Sequence, residues 1–143
     1  MKSELSRGAV VVPNTAIRDE GMSYHYLPPS RTVEADLAVI QKLVQVLENH
    51  GVNYEVGRTW TTDAYYRETK GKIAERKMEG CLTVEMECSA LFAIAKFRNV
   101  LLGQYLLAGD DCGGTAWDQR LQDDLLSAPL KMFWLSVEAC LTL

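Results

Sequence analysis

Basic charge is the first thing this chain is short of. Against 19 aspartates and glutamates it carries 15 lysines and arginines, for a net charge of −4 at pH 7. That balance offers no electropositive footprint for a nucleic acid and no polybasic face for an anionic membrane. Long apolar runs are missing as well: none approaches the roughly 20 residues that span a bilayer. The opening MKSELSRGAVVV lacks a secretory pattern, because Glu4, Ser6 and Arg7 interrupt a short apolar piece. Histidine is limited to His25 and His50, and neither lies in an HExxH pattern. A lone histidine such as His25 is ordinarily structural. The four cysteines, Cys81, Cys88, Cys112 and Cys140, show no CxxC spacing, which argues against a zinc site. A chain this poor in cysteine does not read as a secreted disulfide scaffold. Reduced thiols and a cytoplasmic location are the expectation. Phosphate-loop signatures are absent too: AGDDCGG is not GxxxxGK[ST], and no GxGxxG occurs.

What is present is an ordinary globular composition, 48% hydrophobic and 24% charged over 143 residues. That length suits one domain with a real core, spanning 1–143. GAVVVPNTAI (8–17) reads as a strand ending near Pro13, and RDEGMSYHYLPPS as a loop. From Thr32 to Gly51 the spacing of Leu37, Ile40, Val44 and Leu47, widened by Leu43, predicts a helix. Thr32 serves as N-cap, Glu34 lies in the first turn and Gly51 closes the C-terminus. NYEVGRTWTT (53–62) is a strand, and the following polar stretch a loop running into a short helix. CLTV is a short strand. Glu85 to about Arg98 is a helix apolar nearly all round, hence buried on most sides. NVLLGQYLLAG is a strand whose long apolar run suits a sheet covered on both faces. DDCGGTAWDQR is a loop, and the remainder is helical, interrupted near Pro129. Alternating strands and helices argue a layered α/β domain. The first strand has no helix before it to cover one face of the sheet, so something is expected to be missing upstream.

Three stretches carry candidate chemistry. In GCLTVEMECSALFAIAKF, Glu85 and Glu87 flank Met86 at the mouth of an apolar run. Burying unpartnered carboxylates costs on the order of several kcal/mol, so something must offset it. The plain reading is a helix N-terminus whose dipole favours anions. The functional reading is a carboxylate accepting two hydrogen bonds from a diol such as ribose, with Met86 as an apolar floor. In TTDAYYRET, the tyrosines after a strand are either core or lid residues or a surface for stacking a flat heterocycle. Arg67 there is either a solvated charge or a donor to an anion or carbonyl. In AGDDCGG, an acidic pair follows a buried strand, at the end of the sheet where open α/β folds bind ligands. A partly desolvated carboxyl group there would serve as a general acid. The alternative is an Asp that caps the next helix.

TVEMECSALFAIAKF resembles the Glu-Met-Glu helix entry of the nucleoside phosphorylase family, the trimer-or-hexamer type of uridine phosphorylase and bacterial purine nucleoside phosphorylase. TTDAYYRET is similar to that family's Asp-x-Phe-Tyr segment, and AIRDEGMSYHYLP to its Val-Arg-x-Asp-Gly-x-Ser-x-His segment. AGDDCGGTAWDQR is similar to the place where purine enzymes carry Ser-Asp followed by Arg. The similarity runs over most of residues 8–120. It implies a three-layer α/β/α sandwich around a mixed sheet, incomplete at its N-terminus. It also implies phosphate-dependent cleavage of the N-glycosidic bond of a uridine or purine nucleoside to free base and ribose 1-phosphate.

By the same resemblance Glu87 holds the ribose hydroxyls, Met86 lines the sugar pocket and Glu85 supports both. Tyr65 packs on the base with Arg67 beside it. Asp110 donates a proton to the departing base, and Arg120 activates it. No cofactor is implied beyond inorganic phosphate as co-substrate, and the expected assembly is a homo-oligomer. Two departures stand out. Thr69-Lys70-Gly71 replaces the Gln-x-Arg pair with which uridine phosphorylases read uracil. The family's glycine loop, early arginine and Gly-Thr-x-Gly phosphate segment, all upstream of the match, are absent. The chain thus resembles the sugar and base side of the site without its phosphate side. Two alternatives follow: a nucleosidase using water, and an inactive fragment that binds nucleoside or pairs with another chain.

Overall fold

The computed structural model of the protein describes residues 8–112 and 127–143. Its framework is a five-stranded mixed sheet. β1 (Val10–Asp19) pairs in parallel with β3 (Tyr54–Thr62), and β3 in parallel with β4 (Cys81–Glu85). The other edge of β1 is shared by two short antiparallel strands. β2 (Thr32–Glu34) lies against residues 15–17, and β5 (Leu106–Leu107) against Val10 and Val11.

Four helices complete the described chain. α1 (Leu37–Asn49) joins β1 and β2 to β3, and α2 (Lys70–Met78) joins β3 to β4. α3 (Cys88–Arg98) follows β4, and α4 (Ser127–Leu141) closes the chain. The two parallel crossovers step in one direction across the sheet, and their common handedness puts α1 and α2 on the same face. Val10 and Val12 accordingly pack with Val39, Leu43 and Leu47 of α1 and with Leu135 and Ala139 of α4. Farther along β1, Ile17 packs with Trp60, Cys81 and, from α2, Ile73. α3 lies on the opposite face, where Cys88 and Phe92 meet Ala16 and Val33. The three layers follow from this arrangement. α1 and α4 cover the start of β1 on one face. His50 on Glu138 at 2.7 Å pins the end of α1 to α4.

The chain departs from the sequence reading at identifiable points. β1 does not stop at Pro13. It passes through a register shift between Pro13 and Thr15, where an irregular strand tolerates a residue without an N–H. The carbonyl freed at Asn14 accepts the Ala35 N–H at 2.9 Å. Residues 32–34 are strand, not helix, so Thr32 is not the N-cap and Glu34 is not in the first turn. The cap is Asp36, whose Oδ1 accepts the N–H groups of Ala38 at 2.8 Å and Val39 at 3.3 Å. Leu37 then falls at the helix start and is exposed. Asp36→Ala is expected to cost about 1 kcal/mol by loss of this cap, read as a lower urea midpoint with an unchanged slope.

Gly51 does follow α1 in the left-handed region, at φ +61°. α3 is apolar nearly all round but not buried on most sides, since Leu91 and Phe97 are exposed. Of the long run 99–109, only Leu106 and Leu107 pair as strand. The rest crosses α1 so closely that a Cβ on Gly103 would lie 2.6 Å from Leu43 Cδ1. Pro129 does not interrupt α4. It sits in the first turn, where its missing N–H leaves no bond unmade.

Candidate functional site

β1, β3 and β4 run parallel and end side by side, with Asp19 opposite Thr62 and Thr61 opposite Glu85. The chain leaves these three ends into the loops 20–31, 63–69 and 86–87. That shared edge is where parallel sheets present ligand-binding residues.

Glu85 is the last residue of β4 and not part of the helix that the sequence predicts from Glu85 to about Arg98. Its carboxylate folds back over the turn. Oε2 accepts the backbone N–H of Glu87 at 2.7 Å and of Cys88 at 2.5 Å. Oε1 accepts the Thr61 hydroxyl at 2.5 Å. Glu85 therefore does the capping of α3, while Glu87, at the N-cap position, makes no capping bond. Burial pushes the Glu85 carboxyl above its usual value against the pull of these hydrogen bonds, and the charge on Glu87 adds to the rise.

Glu87 stands in contrast. It is exposed, and among the described residues its carboxylate accepts only the Met86 N–H, at 3.3 Å. Met86 beside it is 44% exposed. An acceptor-only group with spare lone pairs thus sits next to an open apolar side chain, on a backbone held by Glu85. Such a pair has the chemistry to hold a diol over an apolar floor.

The remaining predicted residues fall around this centre with different degrees of definition. Tyr65 and Arg67 form a 3-10 turn directly after β3, both exposed. Tyr65 meets Tyr66 edge-on at 5.2 Å. Asp63, at the start of that turn, accepts the Gly21 N–H at 3.1 Å, which ties the turn to the loop after β1. Asp110 is exposed rather than desolvated. β5 before it runs antiparallel to β1, so it does not end among the three parallel strands. The Asp110 charge does reach Glu68, whose carboxyl is raised by burial first and by Asp110 second. The Asp110 charge thus lies within electrostatic reach of the Tyr65–Glu68 segment. Arg120 lies outside the described residues. Among the described residues, no three His, Cys, Asp or Glu side chains gather in a way that could hold a metal.

Two groups at this edge escaped sequence reasoning. Arg18 and Glu20 sit in the RDEGMSYHYLPPS stretch that reads as a loop, yet both are buried. Arg18 donates to Ser23 Oγ at 2.8 Å, to Ser30 Oγ at 2.6 Å and to the Pro28 carbonyl at 2.8 Å. It thereby gathers loop 20–31 around its guanidinium, whose fixed fork suits several acceptors at once. Glu20 accepts the Ser89 hydroxyl at 2.7 Å and the Ser23 N–H at 2.9 Å. Burial works against its charge, but the hydrogen bonds from Ser23 and Ser89 outweigh it and hold the carboxyl below its usual value. A depressed carboxyl stabilises the fold at pH values above its unfolded-state value and loses that contribution as pH falls through the folded value. The stability lost in Glu20→Gln relative to the parent is therefore expected to shrink steadily below about pH 4.5, read from urea midpoints between pH 7 and pH 3. A constant difference across that range would contradict the assignment.

Comparison with known proteins adds to this geometry. Residues 1–128 match the family model described as the phosphorylase superfamily. A guanosine phosphorylase of Halorubrum lacusprofundi is 25% identical over 125 residues, covering 83% of this chain and 52% of that protein. A uridine phosphorylase of Thermococcus kodakarensis is 36% identical over 109 residues, covering 67% of this chain and 39% of that protein. Among solved structures, an AMP nucleosidase from Bacteroides thetaiotaomicron superimposes with a TM-score of 0.78 at 23% identity, over 98% of this chain and 54% of that one. That likeness speaks for the fold alone. The chain spans about half the length, or less, of the curated relatives it matches.

Proposed function

The chain belongs to the phosphorylase superfamily, the family of the nucleoside phosphorylases, and on that premise we propose that its site cleaves the N-glycosidic bond of a uridine or purine nucleoside with inorganic phosphate as co-substrate. The observation that carries the reading is the exposed Glu87 carboxylate beside the open Met86 side chain, on a turn clamped by Glu85. In this reading Glu87 takes the ribose 2′- and 3′-hydroxyls, Met86 forms the floor of the sugar pocket and Glu85 supports both. Tyr65 packs on the base, and Arg67 supplies a donor to it. Asp110 protonates the departing base and Arg120 activates Asp110. The chain is one domain contributing part of the family fold, working in the cytoplasm as a homo-oligomer without a bound cofactor.

The chemistry follows from where charge develops. Breaking the glycosidic bond builds positive charge on the sugar ring. A carboxylate fixed near the ring stabilises that state more than the ground state. A proton delivered to the base makes it a better leaving group. Phosphate then attacks the anomeric carbon, giving free base and ribose 1-phosphate.

The test is to incubate the chain with uridine, inosine, adenosine and guanosine, each with and without inorganic phosphate, and to measure free base. Phosphate-dependent release from one of them is the expected result. Release without phosphate would replace phosphorolysis by hydrolysis, and no release from any of the four would reduce the chain to a nucleoside-binding or associating fragment.

A further inference from the structure

Glu20 is the unexplained group at this edge of the sheet. It is only 7% exposed, on a loop otherwise rich in turn residues. A carboxylate taken out of water costs several kcal/mol, on the order of the penalty for any buried ion, unless its lone pairs are met. Here they are met by the Ser89 hydroxyl and the Ser23 N–H. Ser89 lies 69 residues away in sequence, in the first turn of α3.

From Ser89 a continuous chain of hydrogen bonds leads on. The Ser89 N–H donates to Thr61 Oγ1 at 3.0 Å, and the Thr61 hydroxyl donates to Glu85 Oε1. The other oxygen of Glu85 grips the N–H groups of Glu87 and Cys88. Ser23, Thr61 and Ser89 are fully buried, so water does not compete for the bonds among Glu20, Ser23, Ser89 and Thr61. Each link has one donor and one acceptor: Thr61 gives its proton to Glu85 and receives the Ser89 N–H on a lone pair. The path joins the ends of β1, β3 and β4 and finishes at the backbone of Glu87.

We propose that Glu20 is a positioning residue for Glu87, acting through Ser89, Thr61 and Glu85 to fix the turn that presents the Glu87 carboxylate and Met86. The proposal rests on the reading of Glu87 as the sugar-binding group, but its structural content stands apart from any activity. Glu20 itself touches no substrate. It holds the Ser89 hydroxyl, and so the first turn of α3, against Thr61. Low-dielectric surroundings make such a chain stiff when every member is satisfied.

The measurement is backbone amide exchange at Glu87 and Cys88, followed by NMR in the parent chain and in Glu20→Ala, Ser89→Ala and Glu20→Gln. Glu20→Ala and Ser89→Ala are expected to speed exchange at these two amides by about tenfold or more, with the amides of Leu43 to Leu47 in α1 unchanged. Glu20→Gln is expected to stay near the parent, because the carboxamide keeps one acceptor and its NH₂ can meet the Ser89 oxygen. Unchanged exchange at Glu87 and Cys88 overturns the proposal, as does an equal acceleration throughout α1, which marks general loosening. Ser89→Ala removes only a hydroxyl and carries the test if Glu20→Ala does not fold. With the nucleoside that releases most base, kcat/KM is expected to fall about tenfold in Glu20→Ala and to recover in Glu20→Gln. A silent parent chain defeats the phosphorolysis reading and leaves the exchange result to decide this one.

Discussion

Glu87→Ala is expected to lower phosphate-dependent base release by about 10²- to 10³-fold while leaving the unfolding free energy from urea titration within about 0.5 kcal/mol of the parent. Both halves of that result come from the same geometry. The Glu87 carboxylate is exposed, and its one bond among the described residues is the long contact to the Met86 N–H. Its removal leaves no buried donor unpaired, so the fold loses little. A bound ribose loses two hydrogen bonds to an ion, each worth about 1.5–3 kcal/mol net, and the charge that opposes the developing positive ring. Glu85→Ala should behave in the opposite way. It strips the acceptor from Thr61 and from the N–H groups of Glu87 and Cys88, so stability falls together with activity. A Glu87→Ala chain with full turnover would remove the sugar-binding role from Glu87. One that unfolds would show that the carboxylate has a structural partner.

The contrast between the two glutamates bears on what a sequence can disclose. VEMEC shows two carboxylates before an apolar helix, and the family likeness assigns them to one site. Nothing in the spacing says that the first belongs to a strand and folds back to cap the helix, because that depends on Thr61 arriving from β3. Glu20 and Arg18 were illegible for the same reason. A charge in RDEG is solvated by default, and its burial is decided by partners at Ser89 and at the carbonyls of the 20–31 loop. Tertiary contacts also overrode local signals at Thr32, a sound cap by type. Its three-residue strand pairs with β1, and the capping passes to Asp36. The strand before Asp110 is misread because a long apolar run reads as a buried parallel strand. Direction and pairing are not written in composition, and β5 is short and antiparallel. What was legible were the features set by local periodicity: the α1 core stripe of Ile40, Leu43 and Leu47, the β3 strand and the layered α/β class.

The largest loss of stability is expected from Trp60→Ala, about 3–5 kcal/mol, or roughly 10–20 °C in Tm for a chain of this size. Trp60 is fully buried between Ile17 and Cys81, and Ile73 of α2 packs on the same cluster. Its neighbours on β3, Thr59 and Thr61, alternate to the other face, where they meet Glu85. The ring therefore supports from below the strand that positions the site from above. Truncation leaves a cavity that α2 must collapse into, because large-to-small changes lose both transfer energy and packing. The indole also donates to Asp19 Oδ2 at 3.0 Å, and Arg76 lies over the ring at 5.5 Å. Asp19 keeps Lys72 at 3.3 Å and Arg76 at 3.6 Å when the indole is gone, so no carboxylate is stranded. The expected loss thus belongs to volume and not to charge. Trp60→Phe separates the two contributions: it gives up the N–H and part of the ring but keeps a face for Arg76, and should cost about 1–2 kcal/mol. If Trp60→Phe proved as damaging as Trp60→Ala, the indole–Asp19 bond would be the dominant contribution. If Trp60→Ala cost less than about 1 kcal/mol, the cluster beneath β3 would not be part of the core.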